Sequence, residues 1–284
     1  MVRGNNMANE IVKQEKQGIA SFLSSDAVKT NVMNVVGEKD AQKFISSVVS
    51  AVQTNPALAE CTNKSILSAA LLGHSLALPQ SPQLGKFFLV PYKNSKSGVT
   101  EAQFMLSYKG YIELAMRSGQ YKKIHVTDIK EGELKAYDPI EDEYTFEPIT
   151  DLEKRESLPT IGYYGYFILT NGYKKTLYWS KEKMEAHAKK YSVAYKKGWD
   201  SSLWKTDFQN MAHKTIVRQL ISKWGVMSVE MAKGYESDYG VLRDNGEIDY
   251  IDNMQEEPEK AVDIMADIDS VDVFDTEVTE VKDE

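Results

Sequence analysis

The stretch FMLSYKGYIELAMRSG, residues 104–119, decides how the rest of the chain is read. Its first part is a strand-like apolar run and its second part has helical periodicity, with Tyr108, Lys109 and Gly110 at the joint. A chain that passes from strand to helix with so short a joint belongs to a fold that mixes the two. Within the helical part Lys109, Glu113 and Arg117 recur every four residues as one charged stripe, opposite Tyr111, Ile112, Leu114 and Ala115. The stripe faces either water or an anionic ligand. The joint favours a phosphate, because it sets backbone N–H groups and the positive end of a helix dipole beside Lys109.

Upstream of the joint the pattern is helical. An amphipathic segment runs from about 9 to 23, and the break at SSDA offers Ser25 or Asp26 as the next cap. EKDAQKFISSVVSAVQTN then puts Ala41, Phe44, Ile45, Val48, Val49 and Val52 on one face, until Asn55-Pro56 ends it. TNKSILSAALLGHSLAL reads as a mostly buried helix that stops at the proline-punctuated connector 78–82. Around and after the joint the period is that of strands: KFFLVPY, TEAQFMLSY and KKIHVTDI are short runs rich in aromatic or β-branched residues. Two hairpins follow, an acidic one (ELKAYDP with EYTFEP) and one turned by Asn171-Gly172, after which Ser180 opens a helix. The fold class expected is α+β: a helical N-terminal part packed with a small antiparallel sheet of hairpins and a central buried helix, plus a flexible acidic tail. The expected divisions are an N-terminal helical segment over 1–35 that contacts other subunits, a core over 36–238, and a tail over 239–284.

The central helix is WDSSLWKTDFQNMAHKTIVRQLISKWG, residues 199–225, apolar nearly all round except for a narrow stripe of Asp207, Asn210, Lys214 and Arg218. Two cations one turn apart repel by a few tenths of a kcal/mol in an isolated helix, and more when their surroundings are buried, so they require an anion.

Net charge is −8, unevenly spread. Residues 241–284 hold sixteen Asp and Glu against Arg243, Lys260 and Lys282, a net of −13 that leaves +5 for residues 1–240. Within the body, 131–160 carries ten acids against three bases, whereas 161–240 carries thirteen Lys and Arg against seven acids. Segregation of this kind marks a polyanion-binding face. The tail alternates acids with sparse Val, Ile, Met and Phe, which is too little apolar content at too high a charge to fold alone.

Other chemistries lack their residues. There is no G-x-x-x-x-G-K-[ST] and no G-x-S-x-G, and His74, His125, His187 and His213 are scattered without zinc-ligand spacing. Cys61 is the one cysteine and reads as an ordinary free thiol. No run approaches the roughly 18 apolar residues of a membrane helix and the first thirty residues lack a signal-peptide centre, so a cytoplasmic location is expected. The pattern points to binding rather than covalent catalysis, with no cofactor required and magnesium as a modulator at most.

SYKGYIELAMRSG together with WKTDFQNMAHKTIVRQL resembles the RecT family of phage and prophage single-strand annealing proteins, Red-beta-type recombinases among them. The likeness is carried by Tyr108, Lys109, Gly110, Arg117, Ser118 and Gly119 in the first piece, and by Trp204, Met211, Lys214, Thr215, Arg218 and Leu220 in the second. It extends over roughly 35–235. The resemblance implies an ATP-independent, non-enzymatic protein that coats single-stranded DNA, pairs it with a complementary strand and assembles into rings or helical filaments. It implies further that Lys109 and Arg117 line a groove along the DNA backbone and that Lys214 and Arg218 close on the same phosphates. Lys205, Lys175, Lys122 and Lys123 are weaker candidates for that groove, and Tyr108 is a candidate stacking face. The partners expected are single-stranded DNA, the duplex annealing intermediate, further copies of the chain, and a phage exonuclease or host single-strand binding protein reached through the tail. The alternative is a structural or regulatory phage protein whose basic body binds an acidic protein partner; a nuclease with hidden carboxylates ranks third.

Overall fold

The computed structural model describes residues 18–81, 83–93, 98–242 and 248–249. Its helical part begins with α1 (Ile19–Leu23), α2 (Asp26–Val36), α3 (Glu38–Thr54) and α4 (Asn63–Ser75), with a 3-10 turn at Pro56–Glu60. The apolar face expected of α3 is buried through Ala41, Phe44, Ile45, Val48 and Val52. Leu23 and Val32 lie in the same core as these residues, so α1 and α2 pack into one body with the rest. The part of the 9–23 segment before residue 18 lies outside the described residues.

β1 (Phe87–Lys93) pairs antiparallel with β2 (Thr100–Leu106), and β2 leads within two residues into α5 (Tyr108–Arg117). Ser107 makes this junction sharp. Its hydroxyl oxygen accepts from Gly110 N at 3.1 Å, satisfying one orphan donor of the helix, and the hydroxyl donates to Lys86 O at 3.0 Å. A Cβ on Gly110 would sit 2.2 Å from Lys86 O, so only glycine lets α5 start so close to the backbone before β1.

The second sheet has the order β3 (Tyr121–Lys130), β6 (Thr160–Leu169), β7 (Lys174–Ser180), antiparallel throughout. The acidic hairpin is β4 (Leu134–Asp138) with β5 (Glu143–Phe146), and α6 (Leu152–Ser157) connects it to β6. Along β6, Tyr163, Gly165, Phe167 and Leu169 are buried while Tyr164, Tyr166 and Ile168 are less so, the period of two that puts one face on the core. The turn at Asn171-Gly172 holds Gly172 at φ 91°.

After β7 come α7 (Lys181–Tyr191), capped by Ser180, then α8 (Val193–Lys196), α9 (Leu203–Thr206) and α10 (Phe208–Trp224). The single helix expected over 199–225 is therefore two. Asp207 breaks it at φ −148°, ψ 55°, and its carboxylate takes the Asn210 amide at 2.8 Å instead of lying on a helical stripe. α10 crosses the sheet so tightly that a Cβ on Gly165 would meet Ile216 Cγ2 at 2.6 Å. The chain continues through α11 (Val229–Ser237) into β8 (Val241–Leu242), paired with β9 (Ile248–Asp249), and Gly240 bridges Phe104 of β2. Val241 is 1% exposed. Among the described residues no helix is long and apolar enough to cross a membrane.

Candidate nucleic-acid interface

Lys109 sits in the first turn of α5 and is exposed, beside the helix N-terminus that Ser107 shapes. Its ammonium lies 6.0 Å from the Tyr108 ring centre, and that ring meets His213 of α10 edge-on at 5.5 Å. This junction of α5 and α10 joins an outward cation, an aromatic face and a helix dipole, the components that hold a phosphate and a stacked base. Glu113, midway along the stripe, is paired with Lys86 at 2.8 Å, which leaves the stripe cationic at both ends.

Arg117 has a second task. Its guanidinium donates to Leu76 O at 2.6 Å and Ala77 O at 3.0 Å, the C-cap of α4 and the residue after it. The residue remains exposed, so its charge still contributes to the surface field.

Lys214 and Arg218 depart from expectation. Lys214 is 3% exposed, and its Nζ donates to Asp238 Oδ1 at 2.8 Å. Asp238 Oδ2 accepts from Tyr111 OH at 3.0 Å, and Oδ1 also accepts from Leu106 N at 2.9 Å. Arg218 Nε stands 3.9 Å from Oδ2. The Tyr239 ring covers Lys214 Nζ at 3.7 Å, and the Tyr235 ring covers the Arg218 guanidinium at 4.1 Å. The anion that these cations require is thus Asp238, and in this conformation Lys214 has no surface to offer a phosphate. Burial pushes the Lys214 ammonium down to about 8, against the raising pull of Asp238. Burial first, then the charge of Asp238, raises the Tyr111 hydroxyl well above its ordinary value.

The weaker candidates are dispersed. Lys205 is exposed but paired with Asp200 at 2.5 Å. Lys175 reaches Asp142 at 2.7 Å and lies over the Trp224 ring at 4.9 Å. A cavity of about 240 Å³ beside it is walled by Glu141, Asp142 and Glu143 as well as Lys174 and Lys175, so it does not favour a polyanion. Lys122 and Lys123 are exposed on β3, and Lys123 lies 5.4 Å over Tyr166, on the sheet face away from α10. The structure therefore brings Tyr108 and Lys109 together with α10 and does not gather the other lysines around them.

Two further groupings escaped the sequence. His213 is 8% exposed between Tyr108 and Tyr163, its Nε2 has no hydrogen-bond partner among the described residues, and burial lowers its pKa. In the other, Arg155 of α6 holds Glu133 through Nε to Oε1 at 2.6 Å and Nη2 to Oε2 at 3.0 Å, and donates to Asp128 O at 2.7 Å. Asp128 pairs in turn with Lys130 at 3.1 Å and accepts from Gln209 at 3.2 Å. Pairing across so many residues leaves no periodic trace. Among the described residues no cluster of three or more His, Cys, Asp or Glu is arranged to hold a metal ion.

Residues 42–257 match the sequence profile described as the RecT family. The chain is 40% identical over 225 residues to the Bacillus subtilis (strain 168) protein described as "Uncharacterized protein YqaK", covering 79% of this chain and 73% of that one. It is 26% identical over 258 residues to "Protein RecT" of Escherichia coli (strain K12), covering 84% of this chain and 90% of that relative.

Proposed function

The chain belongs to the RecT family, whose members act in DNA recombination by annealing, and we propose on this ground that it is an ATP-independent protein that binds single-stranded DNA along its backbone and pairs it with a complementary strand. One observation carries the placement: Lys109 is exposed at the capped N-terminus of α5, against α10, inside the matched region. Annealing needs phosphates neutralised on one strand so that a second can approach, with base edges left open for pairing. A lysine beside a helix N-terminus meets the first requirement, and Tyr108 offers a sequence-tolerant stacking face. One subunit spans few nucleotides, so copies assemble head to tail into rings or filaments that continue the track. The acidic tail, 239–284, recruits an exonuclease or a single-strand binding protein. No nucleotide is consumed, and magnesium acts at most as a modulator.

The test is binding of labelled single-stranded oligonucleotides across a salt series. Affinity should be indifferent to sequence and fall steeply with salt, and Lys109→Ala should weaken it by about 1–3 kcal/mol and lower the log–log slope by about one. A flat salt response, or a folded Lys109→Ala protein that binds like wild type, would remove this placement.

A further inference from the structure

The hairpin of β4 and β5 ends in a tip that the fold pins and yet leaves in the open. Ile140 at this tip is 89% exposed, and its N–H donates to Asp138 Oδ1 at 2.9 Å. Asp142, two residues on, accepts from Tyr137 OH at 3.2 Å and from the Lys175 ammonium of β7 at 2.7 Å, while its carbonyl accepts from Thr176 Oγ1 at 3.2 Å. Asp138, Glu141 and Glu143 are exposed around the isoleucine, and no Lys or Arg occurs from residue 136 to residue 153. A single exposed apolar side chain is ordinary. One held on a pinned tip inside a ring of carboxylates has the form of an interface anchor, apolar at the centre, charged at the rim and ordered in advance.

A surface complementary to it lies elsewhere on the same chain. Residues 181–197 carry six lysines against Glu182 and Glu185, and Lys189, Lys196 and Lys197 are exposed. Just beyond them Trp199 is 50% exposed, with the Lys197 ammonium 5.1 Å from its ring centre. The two surfaces sit on opposite faces and at opposite ends of one sheet, too far round for a copy to join its own. The hairpin covers the face where Tyr144 meets Tyr164 and Tyr178, and its tip is tied to β7 at Lys175. α7 packs on the other face, where Trp179 meets His187, and α8 reaches Phe208 through Tyr195, beside Tyr163 and the far end of β7.

We propose that the hairpin tip of one copy docks on the α7–α8 surface of the next, with Ile140 against Trp199 and carboxylates against lysines. The inference rests on the head-to-tail assembly in the functional reading above and deepens it by naming the two surfaces that meet. Because they differ, the contact is heterologous: each copy presents a tip on one side and a basic surface on the other, so the contact repeats into a filament or closes into a ring. Opposite charge fixes the register and rejects tip-to-tip encounters.

The experiment reverses the charges in the full chain. Glu141→Lys with Glu143→Lys reverses the tip, and Lys196→Glu with Lys197→Glu reverses the basic surface; all four residues are exposed, so the melting temperature should stay at the wild-type value. Assembly is followed by sedimentation velocity over a protein concentration series, with and without oligothymidine. Each reversed protein alone should need on the order of tenfold more protein to assemble, and an equimolar mixture of the two should recover the wild-type range, because every tip then meets a surface of opposite charge. Ile140→Ser should weaken assembly several-fold with no change in melting temperature. Assembly indifferent to both reversals and to Ile140→Ser overturns the contact and leaves the annealing reading standing. Loss in both reversed proteins without recovery on mixing also overturns it, because the lysines would then serve the DNA rather than a neighbour. A wild-type chain that stays monomeric with and without DNA overturns both the contact and the head-to-tail assembly it rests on.

Discussion

Lys214 and Arg218 repel each other along α10, and the fold answers with one carboxylate that is 2% exposed. The pairing reverses the mutational expectation that cation repulsion alone would give. On repulsion alone, removing Lys214 relieves α10; with Asp238 beneath it, removal takes the nearest cation from a buried carboxylate and leaves Arg218 at 3.9 Å. Lys214→Ala should therefore destabilise the protein by about 3–5 kcal/mol, read as a lower denaturation midpoint in urea. Midpoints equal to wild type would mean that the Tyr111 hydroxyl, the Leu106 N–H and Arg218 suffice to hold Asp238. Arg117 likewise acts within the fold, because its guanidinium holds the carbonyls of Leu76 and Ala77 just past α4.

Asp128 and Lys130 of β3, Glu133 just beyond it and Arg155 of α6 tie the acidic hairpin to the sheet. Burial works to raise the Asp128 and Glu133 carboxyls, but Lys130 hydrogen-bonded to Asp128 and Arg155 hydrogen-bonded to Glu133 outweigh it, and both pKa values are lowered. A carboxyl held lower in the folded chain than in the unfolded one contributes stability that is complete above the ordinary carboxylate value of about 4 and is lost as pH falls through the folded value. Arg155→Ala should thus lower stability by about 3 kcal/mol near neutral pH, and the gap from wild type should close as the medium is acidified below about pH 4. Thermal unfolding of both proteins from pH 7 to pH 3 measures this; a gap independent of pH would assign Arg155's contribution to packing of its stem instead.

Charge across the chain is segregated, with thirteen acids and two lysines in residues 251–284, a net of −11. A chain cut after residue 250 keeps Asp238, Val241 and the β8–β9 pair, so its melting temperature should match that of the full chain. Its affinity for single-stranded DNA should be equal or higher, most visibly at low salt, where a tethered polyanion competes with the ligand. A cut after Ser237 should instead cost folding, because it removes the carboxylate that holds Lys214. Loss of DNA binding by the folded 1–250 chain would make the tail part of the DNA site.

The alternation of the strands, the face of α3, the Asn171-Gly172 turn and the start of α5 were all legible in the sequence, because each depends on residues within a few positions of one another. So were the segregated charge and the two motifs that mark the family. Which cation points outward was not legible. Lys109 and Lys214 look alike as lysines on charged stripes, yet one ends at a solvent-exposed helix start and the other beneath α11. The break of the long helix at Asp207, the Arg155 cluster and the Asp238 cradle were hidden for the same reason. Each depends on groups brought together from different elements, and burial and pairing are properties of that assembly, which no local periodicity encodes.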